Sequence, residues 1–153
     1  MIAVAAAQMG IRAHIFAPDA KDSPAAEVAQ TFTQANYDDA DALAAFGRSI
    51  DAVTSEFENV PATTMDILAA FCHVSPGHDA LHLAQNRLRE KTLAASLGIK
   101  TPSFWAVRSA DDLASALSHL KGNGVLKTTE QGYDGKGQIR VATGDDAASR
   151  WSD

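Results

Sequence analysis

With 153 residues, 46% apolar side chains and a net charge of −6, the chain has the composition of a folded globular protein and not of a disordered one. Its 13 basic and 19 acidic side chains form no polybasic patch, which argues against nucleic acid and anionic membranes as partners. No apolar run approaches the ~20 residues of a membrane span, and the single cysteine, Cys72, fits a reducing cytoplasm because it cannot form an internal disulfide.

The N-terminal segment predicts a helix followed by a strand. Residues 1–9 are rich in alanine and are followed by Gly10, which is typical of a helix C-terminus. Residues 12–17 alternate in polarity, as a strand does. A doubly wound domain that opens on a helix is unusual, because its first strand normally lies near the centre of the sheet. We therefore expect that the start is truncated or misassigned, or that the first residues are missing.

The next segment continues the alternation of helix and strand. Ser23 followed by Pro24 is typical of a helix N-terminus, which predicts a short helix through Ala29. Residues 31–33 predict a short strand. Three aspartates between positions 38 and 41 favour the start of a helix that runs through Phe46, since they complement the positive end of its dipole.

A pair of glutamates follows the strand that is predicted over residues 50–54. Glu56 and Glu58 are two positions apart, so on an extended chain their carboxylates face the same side. The carboxyl end of a parallel strand is where open α/β sheets bind ligands. Two carboxylates at that place suit an amine, ribose hydroxyls or a metal, and two exposed loop acids are the alternative interpretation.

Residues 61–70 predict a helix and residues 72–74 a strand. His78 and His82 are four positions apart and share one face of the helix that follows. No third ligand at a recognisable spacing accompanies them, which argues against a zinc site. A further helix is predicted over residues 86–97.

A Thr-Pro pair at positions 101–102 predicts the boundary between two domains, residues 1–100 and residues 101–153. The second domain is predicted to begin with a strand over 103–107 and a helix over 110–120.

Residues 124–141 predict a strand, a glycine-rich loop and a second strand, with Asp134-Gly135 as the tight turn. A loop so poor in side chains can lie close over a ligand and direct backbone N–H groups at it. Because Lys127 and Lys136 flank the loop, this arrangement suits phosphate oxygens. An ordinary surface hairpin is the alternative interpretation.

The string GYDGKGQ, preceded by a strand that ends in lysine, resembles the nucleotide-covering loop of the ATP-grasp superfamily. It is closest to the 5-(carboxyamino)imidazole ribonucleotide synthase family of purine biosynthesis. Three further segments are similar to that family in the same order: SPAAEVA at 23–29, SEFENVP at 55–61 and QNRLREK at 85–91. The resemblance implies an α/β fold, with a Rossmann-like pre-ATP-grasp domain built on a parallel sheet and then the first part of an ATP-grasp domain. It also implies a strand and a glycine-rich turn immediately before the first helix.

The resemblance implies roles for individual residues. Arg87 and Lys127 match residues that neutralise ATP, and a planar guanidinium offers phosphate a bidentate geometry that lysine lacks. The loop residues implied to close over the triphosphate are Gly132, Tyr133, Asp134, Gly135, Lys136, Gly137 and Gln138. Glu56 matches a glutamate that holds the ribonucleotide substrate, Tyr133 is a second substrate contact, and the role of Glu58 stays open.

The implied reaction joins bicarbonate to the exocyclic amine of 5-aminoimidazole ribonucleotide through carboxyphosphate, with ATP and Mg²⁺. The metal ligands and the groups nearest the chemistry are expected beyond residue 153. We therefore expect this chain alone to bind ATP weakly at best and not to turn over. A homodimer in the cytoplasm is the expected state of the intact protein.

Three alternatives stay open at this point. Another ATP-grasp ligase, such as a formate-dependent glycinamide ribonucleotide transformylase or a biotin carboxylase, would use a similar loop. A dinucleotide-binding domain of a dehydrogenase would need a glycine fingerprint after a strand, and none is present in these residues. A non-catalytic interaction module is the third.

Overall fold

A computed structural model describes residues 1–132 and 136–152 of the chain. The chain divides into two compact units, Met1–Leu83 and Ala84–Asp153. Each unit has its own hydrophobic core. The domain boundary at residues 101–102 stays a prediction.

The first unit alternates helices with short strands. In chain order its elements are α1 Ile2–Gln8, β1 His14–Ala17, a 3₁₀ turn at Ala20–Asp22, β2 Thr31–Gln34, α2 Ala40–Arg48, β3 Ala52–Val53, α3 Ala62–Ala69, β4 His73–Val74 and α4 His78–Ala84. β1 pairs in parallel with β2, and β3 pairs in parallel with β4. Helices that alternate with parallel strands are the mark of an α/β domain, so the predicted fold class is confirmed.

Glycine ends α1 as the sequence predicted. Gly10 has φ +72°, a left-handed conformation that other residues reach only with strain. Its N–H donates to Ala7 O at 3.1 Å, and the N–H of Ile11 donates to Ala6 O at 2.9 Å. These two bonds form a Schellman motif, which satisfies carbonyls that the end of a helix leaves without partners.

The core of the first unit lies between its helices. Leu43 on α2 is fully buried and Phe46 is 4% exposed. They pack with residues of α3 and α4 and the loop before α3: Val60, Ala62, Met65, Leu68 and Leu81. No strand residue belongs to this buried set.

Asp39 fixes the start of α2, because its carboxylate accepts a hydrogen bond from the N–H of Ala42 at 3.0 Å.

The second unit packs a β-hairpin against helices. Its elements are α5 Arg87–Ser96, α6 Ala110–His119, β5 Asn123–Lys127, β6 Gln138–Ala142 and α7 Ala147–Ser152. β5 and β6 are antiparallel, with Leu126 opposite Ile139. Leu113 and Leu117 on α6 bury against Val141 on β6, so the hairpin is held by one apolar face.

Two predicted elements are wrong. Residues 23–29 form turns and no α-helix. Ser23 ends the preceding 3₁₀ turn, since its hydroxyl donates to Ala20 O at 2.8 Å. Its Oγ also accepts a hydrogen bond from the N–H of Ala26 at 3.3 Å, as an N-cap does, but turns and no helix follow it. Residues 103–107 are not a strand. A strand needs a paired neighbour, and the ladders of the described residues do not include this segment.

The helices of the described residues are too short and too polar for any of them to cross a membrane.

Candidate functional site

The hairpin of the second unit presents a polar, cationic face. The burial of β5 alternates, with Leu126 directed toward the core and Lys127 exposed. Lys127 lies opposite Gln138, and Val125 lies opposite Arg140, so these four side chains share the outer face. The predicted period-two pattern of this hairpin is confirmed. It places two cations on the side that does not pack on the core.

The segment that leads from β5 into the glycine loop is held at the N-terminus of α5. The backbone N–H of Arg87 donates to Thr129 O at 2.9 Å. The guanidinium of Arg87 donates to the carbonyl oxygen of Gly132. Arg87 therefore binds the loop through both its backbone and its side chain, although the two segments are 45 residues apart in sequence.

Asn86 supports this contact from the cap position of α5. Its side-chain oxygen accepts hydrogen bonds from the N–H groups of Leu88 and Arg89, both at 3.1 Å, which fixes the first turn of the helix. Its Nδ2 donates to Glu130 Oε1 at 2.9 Å. Arg89 Nη2 lies 3.5 Å from the same oxygen. One asparagine thus fixes the helix start and the entry to the loop together.

Two loop glycines are required by packing within the hairpin. A Cβ added at Gly132 would lie 2.8 Å from Thr128 Oγ1 and 3.1 Å from Arg87 Nη2. A Cβ added at Gly137 would also lie 2.8 Å from Thr128 Oγ1, and Gly137 has φ +64°. The N–H of Thr128 donates to Gly137 O at 3.0 Å and closes the base of the loop. Thr128 therefore occupies the space that these two residues leave by having no side chain.

The structure describes six of the predicted nucleotide-binding residues, and all six belong to the hairpin or to the start of α5: Arg87, Lys127, Gly132, Lys136, Gly137 and Gln138. Arg87 and Gly132 are in contact, and Lys127 is paired with Gln138. Tyr133, Asp134 and Gly135, with the turn predicted there, lie outside the described residues.

The substrate candidate Glu56 lies at the N-terminus of α1. Its Oε2 accepts a hydrogen bond from the N–H of Ile2 at 2.9 Å, and its Oε1 lies 2.8 Å from the ammonium group of Met1. The ammonium group first, and then the N–H of Ile2, lower the pKa of this carboxyl below its ordinary value. The carboxylate stays half-exposed, so a ligand can reach it.

The premise for a Glu56–Glu58 pair is wrong. Residues 56–60 form bends and a turn, not the extended chain on which carboxylates two positions apart face the same side. Glu58 lies within the turn.

His78 and His82 are neighbours, as their spacing predicted. Their rings stack with centroids 5.6 Å apart, and His78 Nδ1 lies 2.8 Å from Asp66 Oδ2. Among the described residues no group of three or more His, Cys, Asp or Glu side chains has the geometry of a metal site.

Three residues of the site were missed by sequence reasoning: Thr128, Glu130 and Arg140. Arg140 could have been identified from the sequence, because it lies two positions after Gln138 on the same predicted strand and therefore points to the same face. The contacts of Thr128 and Glu130 depend on how the loop folds back on α5, and neither has a local sequence signal.

Comparisons with known proteins match both units. A family model for the ribonucleotide synthetase preATP-grasp domain matches residues 1–85, and one for the ATP-grasp domain matches residues 92–153. The chain is 42% identical over 146 residues to a Brucella melitensis protein named N5-carboxyaminoimidazole ribonucleotide synthase. It is 40% identical over 151 residues to a Dictyostelium discoideum protein named bifunctional purine synthesis protein purC/E.

Solved structures agree with these relatives. The N5-carboxyaminoimidazole synthetase of Staphylococcus aureus, solved with ADP, superposes with a TM-score of 0.90 at 35% identity over 99% of this chain. The chain spans 40% of that protein's length. It spans 40% of the Brucella relative and 15% of the Dictyostelium relative.

Proposed function

Because the chain belongs to the ribonucleotide synthetase preATP-grasp family, we propose that it is part of a ligase that carboxylates 5-aminoimidazole ribonucleotide with bicarbonate, at the expense of ATP. The product is N5-carboxyaminoimidazole ribonucleotide, an intermediate of purine synthesis. The observation that supports this proposal most directly is the hydrogen bond from the Arg87 guanidinium to the Gly132 carbonyl. It joins the residue that is predicted to bind phosphate to the loop that is predicted to close over the nucleotide.

The chemistry needs an activated carboxyl donor. Bicarbonate is a poor electrophile because hydroxide is a bad leaving group. Transfer of the γ-phosphoryl group of ATP to bicarbonate gives carboxyphosphate, from which phosphate leaves readily when the amine attacks the carboxyl carbon. The protein's task is to position the reactants and to stabilise charge around the transferred group.

In this proposal the second unit holds the nucleotide. The ammonium group of Lys127 and the guanidinium of Arg87 neutralise phosphate oxygens, and the guanidinium exchanges its bond to the Gly132 carbonyl for one to phosphate. Backbone N–H groups of the loop from Gly132 to Gln138 cover the triphosphate and exclude water. Tyr133 on this loop would meet the ribonucleotide.

The first unit holds the ribonucleotide in this proposal. Glu56 is an ionised acceptor beside the N-terminus of α1, where free N–H groups favour an anionic ligand. A carboxylate there suits the ribose hydroxyls, while the helix end suits the phosphate of the same ligand.

Magnesium would offset the negative charge of bound ATP. The described residues form no cluster of three metal ligands, so we assign no metal ligand within them. For the intact enzyme we also propose a homodimer that acts in the cytoplasm.

Residue-resolved NMR titrations of the 153-residue chain test the proposal. ATP is expected to shift the amides of residues 123–142 and of the start of α5, and Lys127→Met is expected to abolish that response. 5-Aminoimidazole ribonucleotide is expected to shift the amides around Ile2 and Glu56, and Glu56→Gln is expected to abolish that response.

Each variant is the control for the other ligand. Lys127→Met should leave the ribonucleotide response intact, and Glu56→Gln should leave the ATP response intact. The proposal fails if ATP perturbs neither the hairpin nor α5, or if Lys127→Met binds ATP as the parent does. The expectation that the chain alone binds ATP weakly fails if calorimetry gives a sub-micromolar Kd.

A further inference from the structure

The two histidines of α4 and one carboxylate of α3 form a polar cluster at the surface of the first unit. His78 and His82 stack with ring centroids 5.6 Å apart and an angle of 24° between the ring planes. His78 Nδ1 lies 2.8 Å from Oδ2 of Asp66, which belongs to α3. None of these three residues is among those proposed to bind ATP or the ribonucleotide.

The backbone of α4 holds the two histidines on one side of the helix. Residues four positions apart on a helix are neighbours on its surface. Leu81, which lies between them in the sequence, is 6% exposed and packs in the core of the first unit. His82 is exposed, and His78 is half-buried. Leu81 therefore fixes α4 to the core while both imidazoles remain accessible to solvent.

Asp66 determines which nitrogen of His78 is available to a metal ion. An ionised carboxylate only accepts hydrogen bonds, so the proton of the neutral His78 ring lies on Nδ1, which donates to Asp66. Nε2 then carries the lone pair. Histidines that bind metal ions usually donate their other ring N–H to a carboxylate or carbonyl in this way, which orients the ring and raises its basicity. The contact with Asp66 therefore prepares His78 Nε2 as a ligand.

The separation of the two rings suits a single ion. Nitrogen ligands lie about 2.0–2.1 Å from Zn²⁺, so two of them in a tetrahedral site are about 3.3 Å apart. From near-parallel rings with centroids 5.6 Å apart, this separation requires only side-chain rotation of the exposed His82, because Asp66 already holds the His78 ring. Once one imidazole has bound the ion, the second binds it at a high effective concentration.

Charge beside the pair also favours a cation. A surface depression next to α4 is lined by Asp66, Gly77, His78, Asp79 and Ala80. These five residues include two carboxylates and no lysine or arginine. Their field raises the local concentration of a divalent ion.

We propose that His78 and His82 form a binding site for a divalent transition-metal ion of the class of Zn²⁺ and Cu²⁺. Imidazole suits these ions, whereas Mg²⁺ prefers oxygen ligands. Within residues 1–132 and 136–152 no third His, Cys, Asp or Glu completes the set, so the site differs from the closed four-ligand site of a structural zinc. Water or a group of another molecule fills the remaining coordination positions.

A Zn²⁺ titration of the 153-residue chain, followed by NMR of its five imidazoles and without nucleotide, tests this proposal. The ring resonances of His78 and His82 are expected to shift together, with one Kd. His73 and His119 are exposed histidines that serve as internal controls. Each offers a single imidazole, so we expect them to respond only at Zn²⁺ concentrations at least about tenfold higher. Mg²⁺ should shift none of these rings.

A matched pair of variants tests the spacing of the two ligands. His82→Asn removes one ligand from an exposed position, and we expect Zn²⁺ affinity to fall at least about tenfold. Ala80→His combined with His82→Asn restores two histidines but places them two positions apart, on different faces of α4. The affinity of this double variant should stay at the level of His82→Asn. His73→Asn should bind Zn²⁺ as the parent does.

Asp66 is a positioning residue in this proposal, since it acts through His78. Asp66→Ala removes the acceptor of the Nδ1 proton, so we expect Zn²⁺ affinity to fall about tenfold. Asp66→Asn retains an oxygen that accepts from Nδ1, and it should recover part of that loss.

Three results would overturn the proposal. The first is a shift of His73 and His119 at the same Zn²⁺ concentration that shifts the pair on α4. The second is parental Zn²⁺ affinity in the double variant, which would show that the four-residue spacing is irrelevant. The third is an equal response to Mg²⁺, which would indicate attraction by the carboxylates alone.

Discussion

The guanidinium of Arg87 donates a hydrogen bond to the carbonyl oxygen of Gly132, at the start of the glycine loop. The same residue donates its backbone N–H to Thr129 O at 2.9 Å. The start of the loop is therefore attached to the first turn of α5. A phosphate that binds Arg87 must compete with this carbonyl, so nucleotide binding and the position of the loop are coupled.

Replacing Arg87 tests whether its guanidinium binds ATP. Arg87→Lys keeps the positive charge but loses the fork that binds two oxygens at once. We expect ATP affinity to fall about tenfold, or ~1.4 kcal/mol, in an NMR titration of the chain. Arg108→Lys is the matched control, because Arg108 is an exposed arginine of the same unit. Equal losses of affinity in the two variants would contradict a specific role for Arg87.

Asn86 is expected to stabilise both the helix and the loop. Asn86→Ala removes the cap of α5 and the bond to Glu130, so we expect the free energy of unfolding in urea to fall by about 1–2 kcal/mol. Asn86→Ser retains a cap oxygen but has no donor that reaches Glu130. A smaller loss for serine would separate the two contributions. Identical losses for alanine and serine would show that the cap contributes nothing.

Gly137 is expected to resist substitution for two separate reasons. Gly137→Ala places a side chain at φ +64°, which costs about 1–2 kcal/mol, and puts its Cβ 2.8 Å from Thr128 Oγ1. Gly144→Ala is the matched control, because Gly144 has φ +90° with nothing within 4 Å of the added Cβ. We therefore expect a larger loss of unfolding free energy at Gly137 than at Gly144.

A double-mutant cycle isolates the contact with Thr128. In the Thr128→Ala background the hydroxyl and the methyl group are gone, so the cost of Gly137→Ala should fall to that of Gly144→Ala. If the cost is the same with and without the Thr128 side chain, strain in the backbone alone makes this glycine necessary.

Local rules predicted the helix ends and the hairpin. Gly98 ends α5 as Gly10 ends α1, with the N–H of Ile99 donating to Ala94 O at 2.9 Å. Such motifs involve residues within six positions of each other, so sequence alone contains their cause. The hairpin was predictable because the alternation of Ile139 and Val141 with polar neighbours records which face is buried.

The features that the sequence did not predict depend on contacts between segments that are far apart in the chain. The helix predicted over residues 86–97 begins at Asn86, but the partner of its side chain, Glu130, is 44 residues away. Ser23 makes the cap hydrogen bond that predicted a helix, since its Oγ accepts from the N–H of Ala26 at 3.3 Å, yet residues 23–29 form turns and no helix, so this local start signal did not determine the element. Residues 103–107 have the composition of a strand, yet a strand exists only where a neighbour pairs with it.

Glu56 gives the first unit a stability that depends on pH. The ammonium group of Met1 and the N–H of Ile2 lower the pKa of this carboxyl in the folded chain below its ordinary value of 4.5. A group whose pKa is lower in the folded state contributes stability above its unfolded pKa and loses it as pH falls through the folded pKa.

We therefore expect the urea midpoint of the parent to decline below about pH 4.5 more steeply than that of Glu56→Gln. At neutral pH the variant should be the less stable of the two, and the difference should shrink as pH falls through the folded pKa of Glu56. Glu27→Gln, an exposed glutamate of the same unit, should follow the parent across this range. A gap between parent and Glu56→Gln that stays constant down to pH 3 would show that the bonds of Glu56 do not depend on its charge.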